Sequence, residues 1–216
     1  MDLTYGEPLS QARLVVILAH GRGATAQDIL ELARALAVPG AAFLLPQAEG
    51  NAWYPQPFMA ALEANEPWLS RSLQKLAGLV AQAAQAGLGP ERVVLGGFSQ
   101  GACLTSEFAA RHADGLERPW GGVLAFSGGL IGPPGTPRRY SGRLEGTRVL
   151  VGCSDPDPYI PRARVEETAQ VFTTLGADVT LKVYPNLGHT INEEEITLAR
   201  EILQALLTTP HTAHTP

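Results

Sequence analysis

The sequence predicts an α/β fold in which a mostly parallel central sheet is flanked by helices on both faces and no cap domain is added. Three observations lead there. Short apolar runs, several of them β-branched, alternate with longer helix-forming stretches. The strand candidates are apolar throughout rather than alternating, as strands buried on both faces are. No composition break or linker divides the 216 residues, and a chain of that length buries enough surface to need no disulfide or metal for stability. One domain over residues 1–209 is expected, with 210–216 as a flexible tail, because Thr-Ala-His-Thr-Pro is polar and ends in proline.

The elements follow in order. Leu14–Ala19 reads as a strand and Thr25–Ala37 as a helix, with Thr25 as its cap and Asp28 in the reciprocal position. Ala41–Leu45 is a second strand, closed by Pro46 and followed by a Pro- and aromatic-rich loop over 47–59. Pro67 suits a first helical turn, and good helix formers continue to Ala86 before Gly87 stops them. Strand Arg92–Gly96, helix Gln100–Arg111 and strand Gly122–Phe126 come next. Residues 127–146 read as irregular, with Gly and Pro clustered at 128–137. Strand Thr147–Gly152, helix Arg162–Leu175, strand Asp178–Tyr184 and helix Asn192–Leu207 complete the chain. The acidic run Glu193-Glu194-Glu195 after Asn192 is a capped helix start, where carboxylates suit the dipole.

Composition narrows the function. A net charge of −5 argues against a polyanion-binding surface, and so against nucleic acid as a partner. Two cysteines, Cys103 and Cys153, make neither a disulfide framework nor a zinc pattern, and both read as core residues. The aliphatic run Leu14–Ala19 stops at His20, far short of a membrane span, so no stable membrane insertion is expected. Asp2 and Glu7 do not fit the cationic start of a signal peptide, which leaves a cytoplasmic protein as the expectation. Nothing in the sequence chooses between a monomer and a homodimer.

The sharpest chemical signal is Gly97-Phe98-Ser99-Gln100-Gly101, between a strand and a helix. A serine there stands on a tight turn with its hydroxyl projecting from the sheet edge. Such a hydroxyl needs a base, and the expected chain order is serine, acid, histidine. His211 and His214 lie in the tail, His112 ends the helix that Ser99 begins, and His20 precedes the serine. His189 remains, in the loop after the strand Asp178–Tyr184, at the same sheet edge as Ser99. The acid belongs to the loop after Thr147–Gly152, where spacing alone leaves Asp155 and Asp157 equally placed. Oxyanion donors are expected from the backbone N–H of Gln100 and, in the His20-Gly21-Arg22-Gly23 loop, from that of Arg22. That loop lacks the third glycine of a dinucleotide fingerprint.

These residues resemble the phospholipase/carboxylesterase family of α/β-hydrolases, which includes acyl-protein thioesterases. The resemblance runs from His20-Gly21 to Gly188-His189 and includes the elbow around Ser99. Trp53-Tyr54 is similar to a Trp-Phe pair of the family, which makes both candidate substrate-binding residues, although each could equally cover the sheet. Asp157-Pro158-Tyr159-Ile160-Pro161 is similar to the family's Asp-Pro-x-Val-Pro, and the resemblance therefore implies Asp157 as the acid. A second alignment, through Gly152-Cys153-Ser154-Asp155, points to Asp155. The chain departs from the family in carrying Arg22 where an apolar residue is common, Ala24 at an Asp position and Val151 at a His position. These changes leave the triad available and weaken any transfer of acyl-protein substrates.

The expected activity is hydrolysis of small-molecule carboxylic esters through an acyl-enzyme, a chemistry that requires no cofactor or metal. A thioesterase or lysophospholipase would use the same triad. A non-catalytic small-molecule binder on the same fold is the rival from another class. Loops 47–59 and 127–146 are expected to shape the pocket, and Arg138 and Arg139 to be solvated. Because 127–146 is too short for a helical cap, an open groove is expected over Ser99.

Overall fold

A computed structural model describes residues 1–208; the expected tail, with His211 and His214, lies outside the described residues. Seven strands form one sheet: β1 (Leu3–Gly6), β2 (Leu14–Ala19), β3 (Ala41–Leu45), β4 (Val93–Phe98), β5 (Gly122–Phe126), β6 (Arg148–Asp155) and β7 (Asp178–Pro185). Their order is β1-β3-β2-β4-β5-β6-β7, with only β1 antiparallel to its neighbour. Helices α1 (Ala26–Leu36) and α5 (Glu193–Thr208) cover one face. Helices α2 (Trp68–Gln85), α3 (Gln100–Arg111) and α4 (Arg162–Thr174) cover the other. This is the α/β-hydrolase architecture, and no separate cap domain stands among the described residues.

Local sequence explains the elements. Central strands β2, β3 and β5 are buried at every position, as apolar runs joined by crossover helices must be. At the start of α1 the Asp28 N–H donates to Thr25 Oγ1 while Asp28 Oδ2 accepts from the Thr25 N–H, the reciprocal box that the sequence implies.

Two expectations need correction, and one strand lies where no element was expected. The alternating Leu3-Thr4-Tyr5-Gly6 is a strand, pairing along Leu45–Ala42 of β3 and covering what would be an open sheet edge. β7 is not buried on both faces: it is the other edge, half exposed along its length. β6 continues three residues past Gly152, since Cys153, Ser154 and Asp155 pair with Val183, Tyr184 and Pro185. That extension carries the acid loop outward from the sheet.

The strand order reverses between β2 and β4, whose neighbours β3 and β5 lie on opposite sides. A crevice opens at the C-terminal ends of the strands at such a switch point. The Gly21-Arg22 loop after β2 and the Ser99 turn after β4 form its two lips.

Candidate active site

Ser99 sits between β4 and α3 with φ +54° and ψ −120°, a left-handed conformation that costs a serine about 1–3 kcal/mol. The neighbouring glycines make it feasible. A Cβ on Gly97 or Gly101 would collide with the Ala19 carbonyl oxygen, because the turn presses against the end of β2. The Ser99 N–H donates to Phe126 O (2.9 Å), and its carbonyl accepts from Cys103 N–H (3.0 Å), which fixes the turn at both ends.

The structure brings Ser99, His189 and Asp157 together from three strand ends. Asp157 Oδ2 lies 2.8 Å from His189 Nδ1, and His189 Nε2 lies 2.9 Å from Ser99 Oγ. An ionised carboxylate only accepts, so Nδ1 carries the proton and Nε2 is free to accept from the serine hydroxyl. Burial pushes the Asp157 carboxyl upward, but hydrogen bonds from His189, Tyr159 N–H and Ile160 N–H outweigh it and hold the group below the usual range. The imidazole is flanked by Phe98 (ring centroids 4.8 Å apart) and, edge-on, by Tyr159 (4.9 Å).

Asp155, the other candidate acid, faces away and pairs with Arg162 at 3.2 Å. The two-residue difference has a cause in the backbone. Asp155 is the last residue of β6 and its carbonyl accepts from Asn186 N–H, so the chain leaves the sheet only beyond it. Ser154 then binds both loops, donating to Pro156 O and accepting from Gly188 N–H (2.9 Å). Beyond His189, Asn192 and Glu195 cap α5 reciprocally, and burial lifts the Glu195 carboxyl to about 7.

The backbone N–H groups of Gln100 and Arg22 donate to no other protein group among the described residues, and both residues line the Ser99 cavity. The Gln100 side chain is occupied: its Oε1 accepts from Trp53 N–H (2.9 Å), and its Nε2 donates to Tyr54 O (2.8 Å). The Arg22 guanidinium donates to Pro55 O (2.9 Å) and Gln56 O (2.7 Å). Sequence reasoning assigned both residues for their backbone and missed the work of their side chains. The departure at Arg22 was the available signal.

The cavity at Ser99 has a volume of about 690 Å³ and is mainly apolar, with Tyr54, Pro57, Phe58, Phe98 and Ile160 among its walls. Trp53 and Tyr54 have different places in it. Tyr54 lines the cavity, whereas Trp53 is buried against His20 and donates from Nε1 to His20 O (2.8 Å), so it braces the start of the Gly21-Arg22 loop. His20 is itself structural: burial lowers its pKa, Nδ1 donates to Gly21 O and Nε2 accepts from Ala48 N–H. Cys103 is both core and cavity lining, and burial pushes its thiol up to about 12. No residue of 127–146 lines the cavity, contrary to the expectation for that segment. Nor is Arg138 solvated, since it pairs with Glu167 at 2.9 Å and donates to Ile131 O.

Comparison with known proteins shows the family and the fold. The Phospholipase/Carboxylesterase family profile matches residues 6–207. An acyl-protein thioesterase 1 of Saccharomyces cerevisiae is 27% identical over 87% of this chain and 90% of its own length. An acyl-protein thioesterase 1 of Gibberella zeae is 31% identical over 55% of the chain, and the match spans about half (49%) of that relative. The crystal structure of a phospholipase/carboxylesterase from Dyadobacter fermentans superposes with a TM-score of 0.87 at 38% identity, covering 95% of both chains. The chain is thus a hydrolase belonging to the phospholipase/carboxylesterase family of α/β-hydrolases.

Proposed function

We propose that this protein is a serine carboxylesterase in which Ser99 is the nucleophile, His189 the general base and acid, and Asp157 the carboxylate that orients His189. The observation that carries this reading is the continuous hydrogen-bonded line from Asp157 through His189 to Ser99, opening onto an apolar cavity. Ser99 Oγ bonds to the ester carbonyl carbon while His189 Nε2 takes its proton. The carbonyl oxygen becomes an oxyanion received by the Gln100 and Arg22 N–H groups, each worth about 2.7–4 kcal/mol in such sites. Collapse breaks the bond to the alcohol oxygen, which leaves with the proton from His189. Water, deprotonated by the same imidazole, then releases the acid and restores Ser99.

Substrates in this reading are small-molecule esters handled in the cytoplasm. The buried, unpaired Cys103 and Cys153 suit a reducing compartment, and no helix among the described residues is long and apolar enough to cross a membrane. Short-chain aryl esters test the assignment. Ser99→Ala is expected to lower kcat by on the order of 10⁴-fold or more, and a fluorophosphonate probe to label wild-type Ser99. Turnover that survives the substitution would overturn it. A second reading, hydrolysis of acyl thioesters, is favoured by the names of the Saccharomyces and Gibberella relatives. Matched ester and thioester series over acyl length separate the two.

A further inference from the structure

We propose that a depression beside Phe98 is the leaving-group subsite, and that it selects small, uncharged apolar alcohols over anionic ones. This inference rests on the serine-esterase reading above. A depression of about 240 Å³ adjoins the Ser99 cavity and shares Gly21, Ala24 and Phe98 with it. Its far walls are Ile29 and Ile191, the latter two residues beyond His189.

Stereochemistry decides which part of the ester goes there. The tetrahedral intermediate carries Ser99 Oγ, the oxyanion at the Gln100 and Arg22 N–H groups, the acyl chain and the leaving oxygen. That oxygen must come within hydrogen-bond reach of His189 Nε2 to be protonated as its bond to carbon breaks. The larger cavity, which runs to Tyr54, Phe58 and Cys103, accommodates the acyl chain. The ring of Phe98 packs on His189 and borders both spaces, so an alcohol leaving from His189 and directed away from the acyl chain passes over Phe98 into the depression.

The lining sets the chemical class. Ala24, Ile29, Phe98 and Ile191 offer apolar contact, while neither lysine nor arginine lines the space. His20 is neutral, with one ring nitrogen donating to Gly21 O and the other accepting from Ala48 N–H. Of the first N–H groups of α1, that of Ala26 is taken by Gln47 Oε1 and that of Asp28 by Thr25 Oγ1. The remaining charge is the exposed Asp28 carboxylate, which repels an anion. An apolar alcohol gains contact here, and an anionic one finds no cation.

The test uses butyrate esters with methyl, phenethyl and 4-carboxyphenethyl leaving groups. The wild type is expected to turn over the phenethyl ester with kcat/KM about tenfold above that of its carboxylated counterpart. Ile191→Trp, which fills the depression, is expected to lower the phenethyl-to-methyl ratio about fivefold or more. Asp28→Asn, on the surface and still able to accept from Thr25, is expected to narrow the neutral-to-anionic ratio about threefold, and more at low salt. Esters hydrolysed without discrimination, or ratios unmoved in both variants, would overturn the subsite while leaving the esterase reading intact. Hydrolysis of none of the three by folded wild type would overturn both.

Discussion

Two irregular segments, 47–59 and 127–146, are alike in sequence and different in use. Both are rich in turn residues and both lie between strands of the sheet. The first supplies Tyr54, Pro55, Pro57 and Phe58 to the cavity wall, and the second supplies nothing. The difference lies in their anchors. Segment 47–59 is held by the Gln100 side chain at Trp53 and Tyr54, by His20 at Trp53, and by Arg22 at Pro55 and Gln56. These three belong to the elbow or to the loop after β2, and Ser72 at Trp53 and Asn65 at Gln56 and Pro57 brace the segment from its other side. Segment 127–146 is held mainly by residues of α3 and α4: Glu107 accepts from Ile131 N–H, Thr168 from Leu130 N–H, and Arg164 donates to Leu130 O and Gly132 O, while Gly129 N–H reaches Cys103 Sγ and Gly132 N–H reaches Phe58 O from behind the cavity wall. A loop joins a site by what its backbone is bonded to, and length or proline content does not reveal that.

The largest expected effect breaks the second set of anchors. Glu107 is 2% exposed and accepts from Arg111 Nε (2.6 Å), Tyr140 OH and Ile131 N–H. Glu107→Ala leaves these donors without their acceptor and should cost about 3–5 kcal/mol of stability. Denaturant titration is the measurement, with activity per folded molecule expected to stay within about twofold, since no group of this network lines the cavity. A tenfold loss of kcat/KM at unchanged stability would erase the contrast between the segments.

The contrast also marks what the sequence could and could not reveal. Periodicity and turn residues were enough for β2, β3, β5 and α3, because those elements are decided by local pattern and burial. The Ser99 elbow was legible because its glycines answer a steric demand within five residues. That Asp157 rather than Asp155 meets His189 was not legible from spacing, because it depends on how far β6 pairs with β7. Nor was the buried role of Arg138, whose partner Glu167 lies 29 residues away on α4. Chemistry that needs one residue type at one turn shows in a sequence. An anchor made by a side chain reaching across the fold does not.

A smaller effect is expected where the first segment meets the elbow. Gln100→Leu preserves approximate side-chain volume and the backbone N–H, but leaves Trp53 N–H and Tyr54 O without their partner. Each loss is worth about 1–3 kcal/mol. Part of that cost should be read as catalysis, because the freed loop no longer fixes the cavity wall, and kcat/KM should fall about 30-fold or more. Gln100→Glu sharpens the comparison: its carboxylate can still accept from Trp53 N–H but faces the Tyr54 carbonyl without a donor. It should therefore fall between wild type and Leu in thermal midpoint. Equal midpoints for all three proteins would show that the loop is held by packing alone.

The smallest effect belongs to Arg22, the exposed clamp at the outer end of the same loop. Its guanidinium spans two successive carbonyls, Pro55 O and Gln56 O, and lies 6.0 Å from the Tyr54 ring centroid. Solvent competes for those hydrogen bonds, so Arg22→Ala should cost about 1 kcal/mol or less of stability. The substitution keeps the backbone N–H proposed for the oxyanion, and the expected loss is in how firmly Pro55 and Pro57 close the Ser99 cavity. KM for a long-chain ester should therefore rise more than KM for acetate, with kcat changed less than either. Arg22→Lys should restore little, because a single ammonium on a flexible stem does not reproduce a planar fork between two acceptors. Full rescue by lysine would show that charge, rather than the two-carbonyl clamp, is what Arg22 contributes.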